Sequence, residues 1–365
     1  MSIAWLRPHP VAAASDPRAD PLDHTAALIA KLRGSHDIEV IDARGAHDLV
    51  WRHARQPFDL IVHELDDSAA HAFIPPYAVH FPGVLLLRGF AVDHPRAVAA
   101  SRLVVVGDEA VAASLQEKYP GTPIVAAPVG VGIADMNGVG SHFSMSSKND
   151  SRPHLFGVLG RRRDAVDRAA ARARQAGARI EVLTGSAETV LRDADVIVAL
   201  DWPPPSGPPV AALAAMAAAR PVIVLETLVT AGWPALDPQT WQPRGFGPAR
   251  PRSFAPPRPG ASAISHPGTP VPASSPLVVS LDPRDEEHSL MLAMKRLAAD
   301  SPLAASLGAA GHAWWSAHAT IAHAAAAWQR ILKEPGPPPR PFAGADGSEH
   351  AREVLAAFGV QVDFL

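Results

Sequence analysis

The chain of 365 residues contains no cysteine. Disulfides, thiolate metal sites and a cysteine nucleophile are therefore excluded. No apolar run approaches the ~20 residues that a membrane span needs. Residues 1–18 lack the apolar centre of a signal peptide, so a cytoplasmic location and no transmembrane segment are expected. Excess charge is also scarce: 33 Lys+Arg face 36 Asp+Glu, a formal net charge of -3. That balance gives no electrostatic case for nucleic acid. The 17 histidines shift it only below neutral pH. Proline, by contrast, is abundant at 38 residues, and its clusters help to place boundaries. A hydrophobic content of 47% supports real cores, and the length points to two domains of ordinary size.

The run DADVIVALDWPPPSGPPVAALAAMAAARPVIV organises the rest. Val196–Leu200 has strand length, and the proline-rich segment 202–209 excludes regular structure. Residues 210–219 are small and apolar, as in a buried helix. Val222–Leu225 is the next strand. Strand, crossover helix and strand at this spacing make a parallel βαβ unit. On such sheets ligands bind beyond the carboxyl ends of the strands, so Asp201–Pro209 and the following helix start are the first place to look.

Apolar strands alternate with helices on both sides of this unit. The first half predicts strands at Ile3–Leu6, Ile38–Ile41, Phe58–Val62, Val84–Leu87, Leu103–Val106 and Ile124–Ala127. Asp23 starts one helix, and Asp108 caps another that runs to Lys118. In HELDDSAAH, Asp67 or Ser68 is placed to cap a further helix. The second half predicts strands at Leu155–Leu159, Arg179–Leu183 and Leu277–Leu281, with an arginine-rich helix after Gly160. Trp314, His318, Ile321, Ala325, Trp328 and Leu332 recur at steps of four and three, which predicts one helix with a buried stripe. Residues 131–150 read as a linker between domains 1–130 and 151–333. Segment 244–276 has the composition of a flexible insertion, and 334–365 form a tail. The expected class is α/β with open parallel sheets covered on both faces.

Several strings in this order resemble the GT-B glycosyltransferases, in particular their bacterial group-1, family-4-like members. They are SIAWLRPHP…DPLDHTAALIAKL, then FDLIVHELDDSAAHAFIPPY, FPGVLLL, FGVLGRRRD, AAMAAARPVIV and SLDPRDEEHSL…WWSAHAT. The resemblance spans roughly residues 2–333. It implies two Rossmann-like domains facing across a cleft, with C-terminal helices crossing back. It also implies transfer of a sugar from a nucleotide-sugar donor to a saccharide or other small acceptor, retaining and metal-independent, with no cofactor. Three positions depart from the family. Arg88–Gly89 stand where a His-Asp pair is frequent, Ser206 and Ala214 where acids are frequent, and Ala219 where glycine is usual. These departures sustain a second expectation, a non-catalytic binding or scaffold protein of the same fold in glycan biosynthesis. A sugar-nucleotide epimerase or hydrolase on the same architecture is a third.

A departing diphosphate needs positive charge or aligned N–H dipoles. The resemblance assigns the donor side to Gly160, Arg162, Arg163, Gly185, Ser206 and Gly207. The plainer readings are a solvated arginine face, continued by Arg168, Arg172 and Arg174, and an ordinary helix cap at Ser206. His71 and Arg88 are the expected catalytic residues, with Asp67 and His9 on the acceptor side. Otherwise His71 is a helix-surface histidine and Arg88 forms a surface ion pair with Asp93. His63, Asp66, Asp67 and His71 match neither a helical zinc pair nor a calcium loop, so no metal is expected. Residues 130–132 lack a third glycine and a following helix, so they read as a hinge and not a dinucleotide fingerprint.

Overall fold

The computed structural model describes residues 1–8, 22–89, 94–132, 152–244 and 275–337. Contacts divide the chain into two units. The first takes residues 1–15, 32–127 and those from 326 onward; the second takes 16–31 and 128–325. The sequence reading instead runs the first domain unbroken from 1 to 130. The difference at residues 16–31 has a local cause, because Leu22 packs against the core of the second unit.

The chain begins with β1 (Ser2–Leu6), α1 (His24–Leu32), β2 (Asp37–Ile41), α2 (Ala46–Arg55) and β3 (Leu60–Leu65). A 3₁₀ turn at Ala69–His71 follows, then α3 (Ile74–His80), β4 (Val84–Leu87), α4 (Pro95–Ala100), β5 (Leu103–Val106), α5 (Glu109–Lys118) and β6 (Ile124–Ala126). The six strands form one parallel sheet in the order β2-β1-β3-β4-β5-β6. β1, β3, β4 and β5 are buried along nearly their whole length, as parallel strands covered on both faces must be. Asp108 caps α5 as expected, accepting from the N–H groups of Ala110 (2.8 Å) and Val111 (3.2 Å). One boundary differs in a way that matters: β3 extends through Leu65, so His63 and Glu64 lie inside a strand.

The second unit contains β7 (His154–Val158), α6 (Arg163–Gln175), β8 (Ile180–Leu183), α7 (Ala187–Asp193) and β9 (Val196–Ala199). It continues with α8 (Val210–Ala217), β10 (Val222–Leu225), β11 (Ala235–Leu236), β12 (Val278–Leu281), α9 (Glu286–Ala299) and α10 (Ser301–His318). Its sheet is also parallel and six-stranded, in the order β11-β12-β10-β9-β7-β8. Strand alternation distributes the core to both faces. Ile197, Ala199, Val222 and Val224 pack with α7 and α8. Val196, Val198, Ile223 and Val279 pack with α6 and α9.

The expected single stripe-bearing helix is two helices, α10 and α11 (Ile321–Lys333). The break has a hydrogen-bonding reason. The Ala319 carbonyl accepts from Val131 N–H at 3.0 Å, and Thr320 pairs with Val131 as an isolated bridge. Thr320 Oγ1 then accepts from His323 N–H at 3.4 Å. Residues 130–132, read as a hinge, are thus attached to the start of α11. From Ala326 on, α11 belongs with the first unit, where Trp328 and Trp5 hold ring centroids 5.1 Å apart. Arg102 Nη2 donates to the Gly336 carbonyl at 2.8 Å and fastens the end of the described chain to the same unit. Most of the expected insertion and tail lies outside the described residues.

Candidate functional site

In an open parallel sheet, the place to bind a ligand is beyond the carboxyl ends of the two strands where the winding direction reverses. In the first sheet those strands are β1 and β3. In the second they are β7 and β9. Each edge carries an unusual group of polar side chains.

On the first edge, Arg7 follows β1 level with Glu64 of β3, and Arg88 follows β4 two residues beyond Leu86, the residue opposite Glu64. The register pairs Trp5 with Val62 and Val62 with Val84, so steps of two bring Arg7, Glu64 and Arg88 to one face. Glu64 is buried. Arg88 Nη1 donates to its Oε1 at 2.6 Å, and Arg7 Nε lies 3.4 Å from Oε2. Glu64 is therefore a partner of Arg88; Asp93, the ion-pair partner expected for it, lies outside the described residues, as does His9. No motif announced Glu64, although its place in the alternation Leu60, Val62, Glu64 could have.

Just beyond β3, His71 Nδ1 lies 2.8 Å from Asp66 Oδ1 and 2.9 Å from Ser68 Oγ. A proton on Nδ1 satisfies both contacts. His71 is buried, so it is not a helix-surface residue. Burial pushes the Asp66 carboxyl up, but hydrogen bonds from His71 and the Ser68 N–H outweigh it and hold the group well below the usual range. Asp66 also corrects the capping expectation. Its Oδ1 takes the Ser68 N–H at 2.6 Å, whereas the 3₁₀ turn has no side-chain cap and α3 begins after Phe73 without one. Asp67 is exposed beside them.

On the second edge, Gly160 has φ +144, a backbone that favours glycine. A β-carbon there would stand 2.7 Å from the Leu200 carbonyl oxygen. The same carbonyl accepts the Arg161 N–H at 3.1 Å. The loop after β7 is thereby laid across the end of β9, beside Asp201. Arg161 is exposed and Asp201 partly buried. Burial raises the Asp201 pKa, and the charge of Arg161 opposes that rise.

The other residues expected on the donor side are more dispersed. Arg162 Nη2 donates to Glu286 Oε2 at 2.7 Å. Arg163, over half exposed, pairs loosely with Asp167 at 3.5 Å. Arg168 and Arg172 both reach Glu287, so the acidic start of α9 lines up with the arginine-rich face of α6. Gly185 follows the edge strand β8. Ser206 and Gly207 are buried ahead of α8. Ser206 does not cap that helix: the cap position is Pro209, and no side chain caps the first turn. Gly160, Gly185, Ser206 and Gly207 all follow parallel strands of one sheet and so belong to one edge. Asp201 and Arg161 stand at its reversal point, and Arg162 and Arg163, the residues expected to meet the diphosphate, follow Arg161 into the start of α6. Among the described residues, no three His, Asp or Glu side chains are grouped to hold a metal ion. Among them, too, no helix is long and apolar enough to cross a membrane.

No protein-family model matches the chain, and no curated protein matches it by sequence. Solved structures do match by fold. Sucrose-phosphate synthase from Thermosynechococcus elongatus superimposes with a TM-score of 0.57 at 12% identity, over 91% of this chain and 98% of that one. Anabaena HepE in complex with UDP and glucose gives 0.55 at 12% identity, over 91% and 99%. The catalytic domain of starch synthase IV from Arabidopsis thaliana, bound to ADP and acarbose, gives 0.51 at 10% identity, over 91% and 99%. The fold is GT-B: two Rossmann-like units, each built on a parallel six-stranded sheet.

Proposed function

We propose that the chain is a glycosyltransferase of hexosyl type that moves a sugar from a nucleotide-sugar donor to a saccharide or other small acceptor. In this reading it works in the cytoplasm, retains the anomeric configuration, and uses neither a bound metal nor a cofactor. The observation that carries it is the fold, shared along nine-tenths of the chain with proteins whose structures hold UDP with glucose, or ADP. The edge chemistry supports it. The Gly160 turn brings backbone close to the reversal point, and Arg161, Arg162 and Arg163 follow it with charge for a leaving diphosphate. Gly185, Ser206 and Gly207 complete the donor side. On the acceptor side, Asp66 orients His71 as a proton carrier and Glu64 aims Arg88, with Asp67 beside them.

A second reading, a binding or scaffold protein of this fold, is favoured by two features. Arg162 and Arg163 already pair with carboxylates, and the first turn of α8 carries no charged side chain.

One experiment separates the readings. Nucleotide sugars are screened for thermal stabilisation, and the stabilising ones for nucleotide release with and without acceptors. Release that requires an acceptor supports transfer. Release without one indicates a hydrolase, and stabilisation without turnover indicates the scaffold. No stabilisation by any nucleotide sugar overturns the proposal.

A further inference from the structure

Asp201 is a partly buried carboxylate for which, among the described residues, Arg161 is the one charged neighbour, and no hydrogen-bond donor reaches it. Buried carboxylates ordinarily accept several hydrogen bonds, because desolvation without them is costly. Other half-buried acids of this chain obey that rule. Asp66 accepts from Ser68, Asp108 from Ala110 and Val111, and Asp195 from Arg152 and Leu155. Asp201 departs from it at the point where the second sheet reverses its winding. The adjoining loop is held there by two close approaches to Leu200, the Gly160 backbone and the Arg161 N–H.

We propose that Asp201 is a ligand-binding residue that accepts hydrogen bonds from hydroxyls of a nucleoside diphosphate sugar whose phosphates lie toward Arg161. This rests on the donor reading above and names a residue that reading does not use. The chemistry is complementary. A vicinal diol offers two O–H donors to the two oxygens of one carboxylate, and the guanidinium one position past Gly160 meets the anionic part of the same molecule. Burial already raises the Asp201 pKa, so donors arriving with a ligand stabilise an anion that the protein leaves poorly solvated. The diol belongs either to the ribose or to the transferred sugar; both present the same donors.

The test is calorimetric. Wild type and Asp201→Asn are titrated with UDP, ADP and GDP, with their 2′-deoxy forms, and with the matching glucose and 2-deoxyglucose donors. Asparagine keeps the size and removes the charge, and no protein hydrogen bond is lost. Asp201→Ser serves as a second variant, with circular dichroism checking the fold of both. The expected result is a loss of about ten-fold or more in affinity for the best-bound probe. That loss disappears when the hydroxyl held by Asp201 is absent from the probe. Disappearance with the 2′-deoxynucleotides identifies ribose; disappearance with the deoxy-sugar donors alone identifies the transferred sugar. An equal loss for every probe, or none, overturns the inference while the donor reading stands. If wild type binds no probe, the donor reading falls and the inference with it.

Discussion

Gly308 of α10 faces the carbonyl oxygen of Ala219: a β-carbon on Gly308 would stand 2.3 Å from that oxygen. The obstacle is backbone, so it cannot swing aside. Gly311, one helical turn on, likewise lies against Met216. The two glycines let α10 approach α8, the helix that follows the proline-rich loop. Helix propensity alone says that Gly308→Ala should stabilise the chain by about 1 kcal/mol. Packing says the opposite, and we expect a net loss of about 3 kcal/mol. Urea unfolding of the two proteins decides between these signs.

Ala219 itself is under backbone strain. Its φ is +53, and it ends α8 with the paired bonds Arg220 N–H to Ala215 O (2.8 Å) and Ala219 N–H to Met216 O (2.9 Å). A residue at this position of a helix terminus is ordinarily glycine, because a β-carbon in the left-handed region costs about 1 kcal/mol. Ala219→Gly should therefore stabilise, after the added chain entropy of glycine, by about 0.5 kcal/mol. Differential scanning calorimetry should show a rise of about 1–2 °C. A fall would mean that the alanine methyl contributes more by packing than its backbone costs.

Much of the framework was readable before the structure, and the exceptions share a cause. Val84–Leu87, between Gly83 and Arg88, and Leu103–Val106, between Arg102 and Gly107, are continuous apolar runs, and both strands end where the runs end. Asp108 is followed directly by its helix, so its cap is a local event. The end of β3 is not legible locally because His63 and Glu64 are polar, and polar residues are admitted to a buried strand only by distant partners. For His63 the partner is the Phe81 carbonyl; for Glu64 it is Arg7 and Arg88. The helix break at Ala319 depends on Val131, nearly two hundred residues away in sequence. Candidate residues were recognised from residue type near strand ends. What they touch was not, because Arg162 finds Glu286 from across the chain and Arg88 finds Glu64 from a neighbouring strand.

Glu64 sits between two guanidiniums with its side chain only 3% exposed. Removing it strands positive charge in a low-dielectric setting, so Glu64→Ala should cost about 3 kcal/mol. Arg88→Ala should cost less, because the Arg88 side chain is 25% exposed and Glu64 would keep Arg7 at 3.4 Å. If Arg88 also meets substrate, its alanine variant should lose turnover at saturating donor while remaining folded. Unfolding curves and steady-state kinetics on both variants separate the two roles.

His63 makes the first unit sensitive to acid. Its ring is fully buried, Nε2–H donates to the Phe81 carbonyl at 2.9 Å, and among the described residues Nδ1 has no hydrogen-bond partner. Burial lowers the pKa from 6.5 to about 4, with the Phe81 bond opposing the shift. The unfolded chain therefore takes up this proton first as pH falls. Stability from the neutral ring is fully present above the unfolded value of 6.5, declines as pH drops through the window between 6.5 and about 4, and is flat below it. A displacement of this size corresponds to about 3 kcal/mol. Carboxylate protonation adds its own slope in the same range, so the measurement must be a difference. His63→Gln keeps a donor for Phe81 but cannot titrate. Urea midpoints of wild type and His63→Gln from pH 8 to pH 4 should converge as the pH falls, with wild type losing up to about 3 kcal/mol more than the variant. Parallel curves would show that His63 is protonated in the folded chain or reached by water.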